Sequence, residues 1–259
     1  MITKKSNILF CGDPHGQFKH IQRAIDQEKP SAVILLGDME PPQPLHELLT
    51  GAPIYFIPGN HDGESVLHAS NIFESAYAGN NLHNRVVEID GIRIAGLGGV
   101  FSESVWMPPA NPVAENLDQW HSQNQWSGQY FAQQKELHRH GSIFLDDYLN
   151  LMTMKADILV VHDAPSCHPY GFEAIDDLAR ELGVHTVYHG DHHDSLDYSA
   201  DEPLMGFRTY GVGLRGITDQ NGNKIRAGEL DDDRFEARMK KKADRDQFFG
   251  RPMANRMRM

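Results

Sequence analysis

The sequence predicts an α/β fold with an at least partly parallel sheet, and two observations support this prediction. Short apolar runs rich in β-branched residues recur along the chain, each closed by glycine, proline or a polar cluster. Segments with the spacing of amphipathic helices lie between them. Strands that alternate with helices are typical of α/β domains, in which a helix connects two parallel strands.

The apolar runs are too short for helices, so they are predicted to be buried strands. They are residues 7–10, 32–36, 53–57, 86–89, 92–95, 158–161 and 186–188. The helix-like segments are residues 18–27, 45–49, 143–154 and 172–182. The dipeptide Asp90-Gly91 separates two of the predicted strands, and such a dipeptide is a strong signal for a two-residue hairpin turn.

Composition and charge restrict the class of protein. The 259 residues are 40% hydrophobic and 23% charged, as in ordinary globular proteins. A formal net charge of −12 weighs against an extended nucleic-acid interface, because an acidic surface repels phosphate. Two cysteines form neither a disulfide framework nor a zinc motif, so a cytoplasmic protein is expected. No membrane association is expected, because the sequence has no signal-peptide-like stretch and no long apolar run.

Two segments depart from the regular alternation of strands and helices. Residues 101–141 hold all three tryptophans and three prolines, and are interpreted as an insertion in a domain that spans residues 1–230. The insertion either overhangs the functional site or elaborates the surface without touching substrate. Residues 231–259 are expected to form a charged, weakly ordered tail, whose start is compatible with a helix.

Five polar clusters each follow an apolar run, at points where strands are predicted to end. Because ligands of open α/β sheets bind beyond the carboxyl ends of the strands, the clusters are expected to converge on one crevice. Carboxylate, imidazole and amide oxygen together suit cations such as Mn²⁺, Fe, Zn²⁺ or Mg²⁺. Each cluster alone is a common turn or helix cap, but the ordered set predicts a metal site. The clusters are Gly12-Asp13-Pro14-His15-Gly16, Gly37-Asp38, Gly59-Asn60-His61-Asp62, His162-Asp163 and His189-Gly190-Asp191-His192-His193.

The set of clusters resembles the calcineurin-like metallophosphoesterase superfamily. That family's pattern is Asp-Xaa-His, Gly-Asp, Gly-Asn-His-Asp/Glu, a lone His, and Gly-His-Xaa-His. The resemblance covers about residues 8–217 and implies a four-layer α/β/β/α sandwich of two mixed sheets flanked by helices. The first cluster is similar to the opening motif of the Ser/Thr phosphatase branch. That branch continues Gly-Asp with Asp-Arg-Gly, whereas Gly37-Asp38 continues with Met39-Glu40-Pro41-Pro42, which weighs against classical protein-phosphatase activity.

The resemblance implies two bound divalent cations, with Mn²⁺ as the first choice and Fe, Zn²⁺ or Mg²⁺ as alternatives. Asp38 is expected to bridge them. The expected ligands are Asp13, His15 and His193 for the first cation, and Asn60 and His162 for the second. His61 is expected to be the general acid, and Asp62 is expected to orient it.

Asp191 departs from the family pattern, which has the first His of Gly-His-Xaa-His at this position. One interpretation is that its carboxylate ligates the second cation and favours a harder ion such as Mn²⁺, Mg²⁺ or Ca²⁺. The other is that Asp191 only neutralises charge or bonds a neighbouring histidine. His189 and His192 are close enough in sequence to replace it, although alternation along an extended segment aims Asp191 and His193 the same way.

The chemistry expected of this set is hydrolysis of a phosphomonoester or phosphodiester by a metal-bridging hydroxide, with His61 protonating the leaving oxygen. The acidic chain favours a small-molecule or protein-borne phosphate ester as substrate. Two alternatives stay open. One is a nuclease anchored by the basic residues around Lys240. The other is a phosphoesterase fold that has lost catalysis and serves as a binding scaffold, for which Asp191 is the one supporting feature.

Overall fold

The computed structural model describes residues 7–123 and 139–248. Its strands are numbered in chain order. They are β1 (Ile8–Cys11), β2 (Ala32–Leu35), β3 (Ile54–Phe56), β4 (Arg85–Ile89), β5 (Ile92–Leu97), β6 (Ile158–Val161), β7 (Thr186–His189), β8 (Arg208–Gly211), β9 (Ile217–Asp219) and β10 (Lys224–Arg226). The first seven lie within one or two residues of the predicted runs. The last three were not expected from the sequence, because they are short and β10 is exposed along its length.

The strands form two five-stranded sheets, and both are mixed. The first sheet has the order β10-β9-β1-β2-β3, in which β1, β2 and β3 are parallel and β9 and β10 are antiparallel to their neighbours. The second has the order β4-β5-β6-β7-β8, in which β5 to β8 are parallel and β4 is antiparallel. The parallel strands of each sheet therefore end at a common edge, which is where the polar clusters begin.

Alternation along the strands divides the core into an inner layer and two outer layers. Ile8 and Phe10 of β1 pack with Val160 and Tyr188 of the second sheet in the inner layer. The Phe10 and Tyr188 rings stack with centroids 3.7 Å apart. Leu9, by contrast, belongs to the outer cluster of the first sheet. These layers confirm the four-layer sandwich that the family resemblance implied.

Helices cover the outer face of each sheet. Lys19–Glu28 buries Ile21 and Ile25 against the first sheet, and Leu145–Met152 and Glu173–Leu182 pack against the second. Further α-helices are Leu45–Leu48, Val66–Phe73, Leu117–Gln123, Glu202–Met205 and Asp231–Phe248. Single 3₁₀ turns occur at His61–Gly63 and Ala78–Asn80. None of the helices in the described ranges combines the length and apolar character needed to cross a membrane.

The hairpin predicted at Asp90-Gly91 is confirmed. Ile89 and Ile92 are paired across it, and both turn residues have positive φ, at 52° for Asp90 and 80° for Gly91. Positive φ at both central positions is the requirement of a type I′ turn, which matches the twist of the flanking strands.

The described part of segment 101–141 joins the core instead of standing apart from it. Trp106 is buried, packs edge-on against Phe101 and Tyr148, and belongs to the outer cluster of the second sheet. Trp120 is partly buried against the same cluster. Packing is therefore the observed role of these two tryptophans, while Trp126 lies outside the described residues.

The charged segment after Leu230 forms one helix over residues Asp231–Phe248, which agrees with the helical start that the sequence allows. Its basic side chains bind carbonyl and carboxylate oxygens of neighbouring loops, with Arg234, Arg238 and Lys242 as examples. Sequence composition does not reveal such contacts, because a charged helix face looks the same whether its partners are water or protein. Residues 249–259 lie outside the described part.

Candidate metal centre

The ends of five strands bring the predicted residues together from both sheets. The first sheet provides residues after β1, β2 and β3, and the second provides residues after β6 and β7. In the first sheet, the parallel direction of β1, β2 and β3 places their carboxyl ends side by side, as expected for an α/β site. The site residues so placed are Asp13, His15, Asp38, Asn60, His61, Asp62, His162, Asp191 and His193.

One group of potential metal ligands consists of His15, Asp38 and His193, whose ligand atoms all lie within 4.8 Å of one another. The Nε2 atoms of His15 and His193 face each other at 3.0 Å. His15 Nε2 is 3.8 Å from Asp38 Oδ2. On its other side, His15 Nδ1 lies 2.6 Å from Glu40 Oε2, a contact that turns Nε2 toward the group.

A second group consists of Asp13, Asp38 and His162, again within 4.8 Å of one another. His162 Nδ1 donates to the carbonyl oxygen of Leu36 at 2.6 Å, so Nε2 is free to act as a ligand. His162 Nε2 lies 3.3 Å from both Asp38 Oδ1 and Asn60 Oδ1. Asp38 thus belongs to both groups. Asp13 lies with the second group, whereas the family resemblance placed it with His15 and His193.

The backbone of the site is strained. Asp13, His15, Asp38, Asp191 and His193 all have positive φ, between 41° and 62°. Such conformations cost on the order of 1–3 kcal/mol each for non-glycine residues and persist only where the surrounding structure imposes them. They aim side chains inward from tight turns at the strand ends.

Two glycines let the backbone approach the ligands. A Cβ atom at Gly37 would lie 2.4 Å from His162 Nδ1, and one at Gly59 would lie 2.3 Å from Asp38 Oδ1. Both distances are far below van der Waals contact. Any side chain at these positions would displace the ligands, so the glycines of the second and third clusters are part of the site.

The buried carboxylates of the site would be stabilised by nearby positive charge. Burial raises the pKa of Asp13, and Asp13 Oδ2 is buried without a hydrogen-bond partner in the described structure. Burial also acts to raise the pKa of Asp38, but the charge of His162 and its hydrogen bond outweigh this and lower it. For His162, burial opposes the charged form, yet the Asp38 carboxylate raises the pKa well above its usual range. The donor set and the unpartnered carboxylate oxygen therefore fit divalent cations.

Asp191 lies at the edge of the second group. Its Oδ1 is 3.7 Å from His162 Nε2, its Oδ2 is 3.0 Å from His192 Nδ1, and its backbone N–H donates to Asp13 Oδ1 at 3.1 Å. Asp191, His192 and Asp163 also form a third group of potential ligands. The Asp191 carboxylate thus lies close to His162 of the second group, and it also contacts the neighbouring histidine, His192. Both interpretations of Asp191 drawn from the sequence are compatible with these contacts.

His189 does not take the place of the missing family histidine in the described structure. Its ring is buried, with Nε2 3.2 Å from the Tyr198 hydroxyl and Nδ1 3.1 Å from the carbonyl oxygen of Gly190. The pKa of His189 falls to about 3, mainly because of burial. His189 is therefore a hydrogen-bonded core residue beneath the site.

His61 stands at the mouth of the site and is 40% exposed. Its Nε2 is 4.0 Å from Asp38 Oδ2, and its Nδ1 is 3.1 Å from Glu64 Oε2. Burial alone would lower its pKa, but the charges of Asp38, Glu64 and Glu40 raise it above the ordinary value. The neighbouring carboxylates thus favour the protonated form of the His61 ring, which is the form that a general acid requires.

Asp62 has a different set of contacts from the one expected. Its Oδ1 accepts hydrogen bonds from the backbone N–H groups of Met39 at 2.7 Å and Glu40 at 3.1 Å, and its Oδ2 accepts one from Gly59 at 2.9 Å. The His61 ring is instead contacted by Glu64. The buried Asp62 carboxylate therefore ties the loop after β2 to the loop after β3.

This role makes a testable prediction about stability. Replacing Asp62 by alanine is expected to lower the free energy of unfolding by at least about 3 kcal/mol, because each of the three N–H groups left without an acceptor costs about 1–3 kcal/mol. Asp62→Asn keeps one acceptor oxygen and is expected to lose about half as much. Urea unfolding with intrinsic fluorescence measures both. A large loss of turnover in Asp62→Asn at unchanged stability would instead support the catalytic role predicted from sequence.

Sequence reasoning missed two residues that contact the site histidines. Glu40 contacts His15 and Glu64 contacts His61. Glu40 lies in the stretch that departs from the Ser/Thr phosphatase branch, so this departure was the available signal. Glu64 gave no signal in the sequence, because exposed glutamates next to turns are common in proteins.

The fold agrees with the comparison to known proteins. Residues 6–195 match the model of the calcineurin-like phosphoesterase family, so the chain belongs to this family. An uncharacterized protein of Haemophilus influenzae is 41% identical over 226 residues, which cover 84% of this chain and 96% of that protein.

One solved structure shows the same fold at low sequence identity, and a second has a lower structural similarity. The protein TT1561 of Thermus thermophilus superposes with a TM-score of 0.53 at 12% identity, over 86% of this chain and 98% of that chain. A dimetal phosphatase from Danio rerio gives a TM-score of 0.48 at 12% identity, over 86% of this chain and 93% of that chain. At such identities the likeness concerns architecture, and the chemistry of this chain is argued from its own residues.

Proposed function

We propose that this protein hydrolyses a phosphomonoester or phosphodiester with two divalent cations held side by side. The observation that carries the proposal is the position of Asp38, whose carboxylate belongs to both ligand groups. A carboxylate with two oxygens directed to two neighbouring groups is suited to bridge a pair of cations. Family membership supports the same class of reaction.

The residues divide between the two cations as follows. His15, His193 and Asp38 would hold the first, and Asp38, Asn60 and His162 would hold the second. The unpartnered oxygen of Asp13 is available to the centre, and Asp191 supplies a further carboxylate beside His162. Mn²⁺ is the proposed cation for this mixture of carboxylate, amide and imidazole ligands, with Fe, Zn²⁺ and Mg²⁺ as alternatives.

When bound, such cations lower the pKa of water and neutralise charge on the phosphate. His61 Nε2, which faces Asp38, would donate the proton that the leaving oxygen receives, and the neighbouring carboxylates favour the protonated ring. Glu40 and the carbonyl oxygen of Leu36 orient the two histidines that belong to the ligand groups. Asp62 holds the loop that carries Asp38 against the loop that carries Asn60.

The substrate we propose is a small-molecule or protein-borne phosphate ester. The net charge of −12 disfavours a long nucleic acid. The basic residues Arg238, Lys242 and Arg245 of the C-terminal helix, Asp231–Phe248, are engaged with protein oxygens, which weighs against their use as a nuclease anchor. Two buried, unpaired cysteines agree with a cytoplasmic location.

A panel of cations and substrates tests the proposal. Apo-protein is mixed with Mn²⁺, Zn²⁺, Fe²⁺ or Mg²⁺ and assayed on p-nitrophenyl phosphate, bis-p-nitrophenyl phosphate and single-stranded DNA. We expect cation-dependent hydrolysis of one of the aryl esters and little cleavage of DNA. Tight cation binding without any turnover would instead support the scaffold alternative. The absence of both cation binding and turnover would contradict the proposed enzyme and the scaffold alternative alike.

Cation binding is also expected to raise the melting temperature. The site packs the carboxylates Asp13, Asp38 and Asp191 close together, and a cation that binds only the folded state stabilises it by mass action. At a free Mn²⁺ concentration 100 times the dissociation constant, one site contributes about 2.7 kcal/mol. Differential scanning fluorimetry with Mn²⁺ or EDTA measures this. An unchanged melting temperature at millimolar Mn²⁺ would contradict the proposed centre.

A further inference from the structure

The C-terminal helix lies against the loop that carries two of the proposed ligands. Arg234 Nη1 donates to the carbonyl oxygen of His192 at 2.8 Å, and Arg238 Nη2 lies 3.4 Å from the same oxygen. His192 stands between Asp191 and His193 in the chain. Two guanidinium groups therefore hold the peptide that joins these residues.

An ion pair fixes the same loop one residue further on. Arg238 Nε lies 3.0 Å from Asp194 Oδ2, and the Asp194 side chain is fully buried. His168 Nε2 lies 3.4 Å from the same oxygen. A buried carboxylate needs such partners, because an unpaired buried charge is strongly destabilising. Asp194 directly follows His193, so this pair restrains the loop on the side of that ligand.

The remainder of the helix is anchored elsewhere in the domain. Lys242 Nζ donates to the carbonyl oxygen of Cys167 at 2.8 Å and to Asp201 Oδ1 at 2.9 Å. Arg245 donates to the carbonyl oxygens of His168 and Gly171. The arginines that reach the site loop thus come from a helix whose own position is set by other contacts.

The loop itself is in need of external support. Asp191 and His193 have φ values of 62° and 56°, on either side of His192. Left-handed conformations at non-glycine residues persist only when neighbouring structure imposes them. The arginine contacts are located at the peptide between the two strained residues.

We propose that Arg234 and Arg238 are positioning residues, which hold residues 190–194 so that Asp191 and His193 face the cation centre. The inference rests on the proposed function and adds a dependence of cation affinity on the C-terminal helix. Residues that orient metal ligands from outside typically change metal affinity by about 10–100-fold when they are replaced.

The charge of Arg234 and its positioning role have opposite effects on the affinity for Mn²⁺, so the direction of the change distinguishes them. Arg234 places its positive charge on the carbonyl oxygen of His192, directly beside the proposed ligand His193. A nearby positive charge disfavours any cation at the site, so its removal alone would tighten Mn²⁺ binding. Loss of positioning would weaken Mn²⁺ binding.

The experiment is isothermal titration of the full-length apo-protein with MnCl₂. Arg234→Gln and Arg238→Gln are each expected to raise one of the two dissociation constants about tenfold or more. Lys240→Gln, an exposed residue of the same helix with the same loss of charge, is expected to leave both constants unchanged. Unchanged or tighter binding in the folded arginine variants would overturn the inference.

A double variant separates positioning from general stability. Arg238→Gln leaves the Asp194 charge unpaired, whereas Arg238→Gln/Asp194→Asn removes that charge as well. We expect the double variant to regain much of the melting temperature and to keep the weakened Mn²⁺ affinity. Recovery of both together would show a purely structural role and overturn the inference. If the wild-type protein bound no Mn²⁺, both the proposed function and this inference would fail. If the wild-type protein bound Mn²⁺ and the arginine variants bound it with the same affinity, only this inference would be refuted.

Discussion

Asp38→Asn is expected to lose both bound cations and at least about a thousandfold in turnover. Asp38 belongs to both ligand groups, so its substitution weakens both sites at once. The neutral amide removes the negative charge that the cations require. It also offers one oxygen where the carboxylate has two, while the backbone N–H of His61 already uses Oδ1 at 3.0 Å. Effects of this size are typical when a central electrostatic group of an active site is removed.

The measurement combines metal content and rate. Protein dialysed against Mn²⁺ is analysed by mass spectrometry for bound metal and assayed on the best aryl ester of the panel. Asp90→Asn is a matched control, because Asp90 is exposed and also has positive φ, at 52°, which asparagine tolerates. It is expected to retain metal and rate. Wild-type activity in Asp38→Asn would contradict the two-cation centre.

His61→Ala is expected to keep both cations and lose about 10²–10⁴-fold in turnover, the usual range for a general acid. His61 is in neither of the two groups of potential ligands that share Asp38, and its ring is partly exposed at the mouth of the site. Its removal therefore leaves the cation ligands in place. What is lost is the proton for the leaving oxygen.

The leaving group provides a specific readout for this role. A good leaving group such as p-nitrophenolate needs little protonation, whereas an alkoxide needs a proton in the transition state. The loss of rate in His61→Ala is thus expected to be larger for an alkyl phosphate than for p-nitrophenyl phosphate. His185→Ala, at an exposed histidine immediately before β7, serves as the control. Equal losses on both esters would contradict proton donation by His61.

The sequence predicted which side chains the strand ends bring together better than it predicted the contacts of those side chains. Asp13, Asp38 and His162 follow strands whose ends are set by hydrophobic pattern, and parallel strands necessarily end together. The contact of Glu40 with His15 depends on the path of the loop after β2, which no periodicity describes. The same holds for Asp62, whose partners are backbone N–H groups of that loop.

The C-terminal helix shows a second limit of sequence reasoning. Arg234 and Arg238 are one turn apart and lie on the same helix face, a spacing that equally describes a solvated charged surface. Their partners lie 42 and 46 residues earlier at His192, and 44 residues earlier at Asp194. Contacts over such separations are decided by tertiary packing.

The stacked rings of Phe10 and Tyr188 lie between the two sheets, and the proposed ligands come from both. The distance between one half of the centre and the other is consequently determined by the thickness of the inner hydrophobic layer. The helices Lys19–Glu28 and Glu173–Leu182 pack on the outer faces of the sheets, so they do not set that distance. A change in ring size between the sheets would shift His162 and His193 relative to Asp38, and so alter which cations fit.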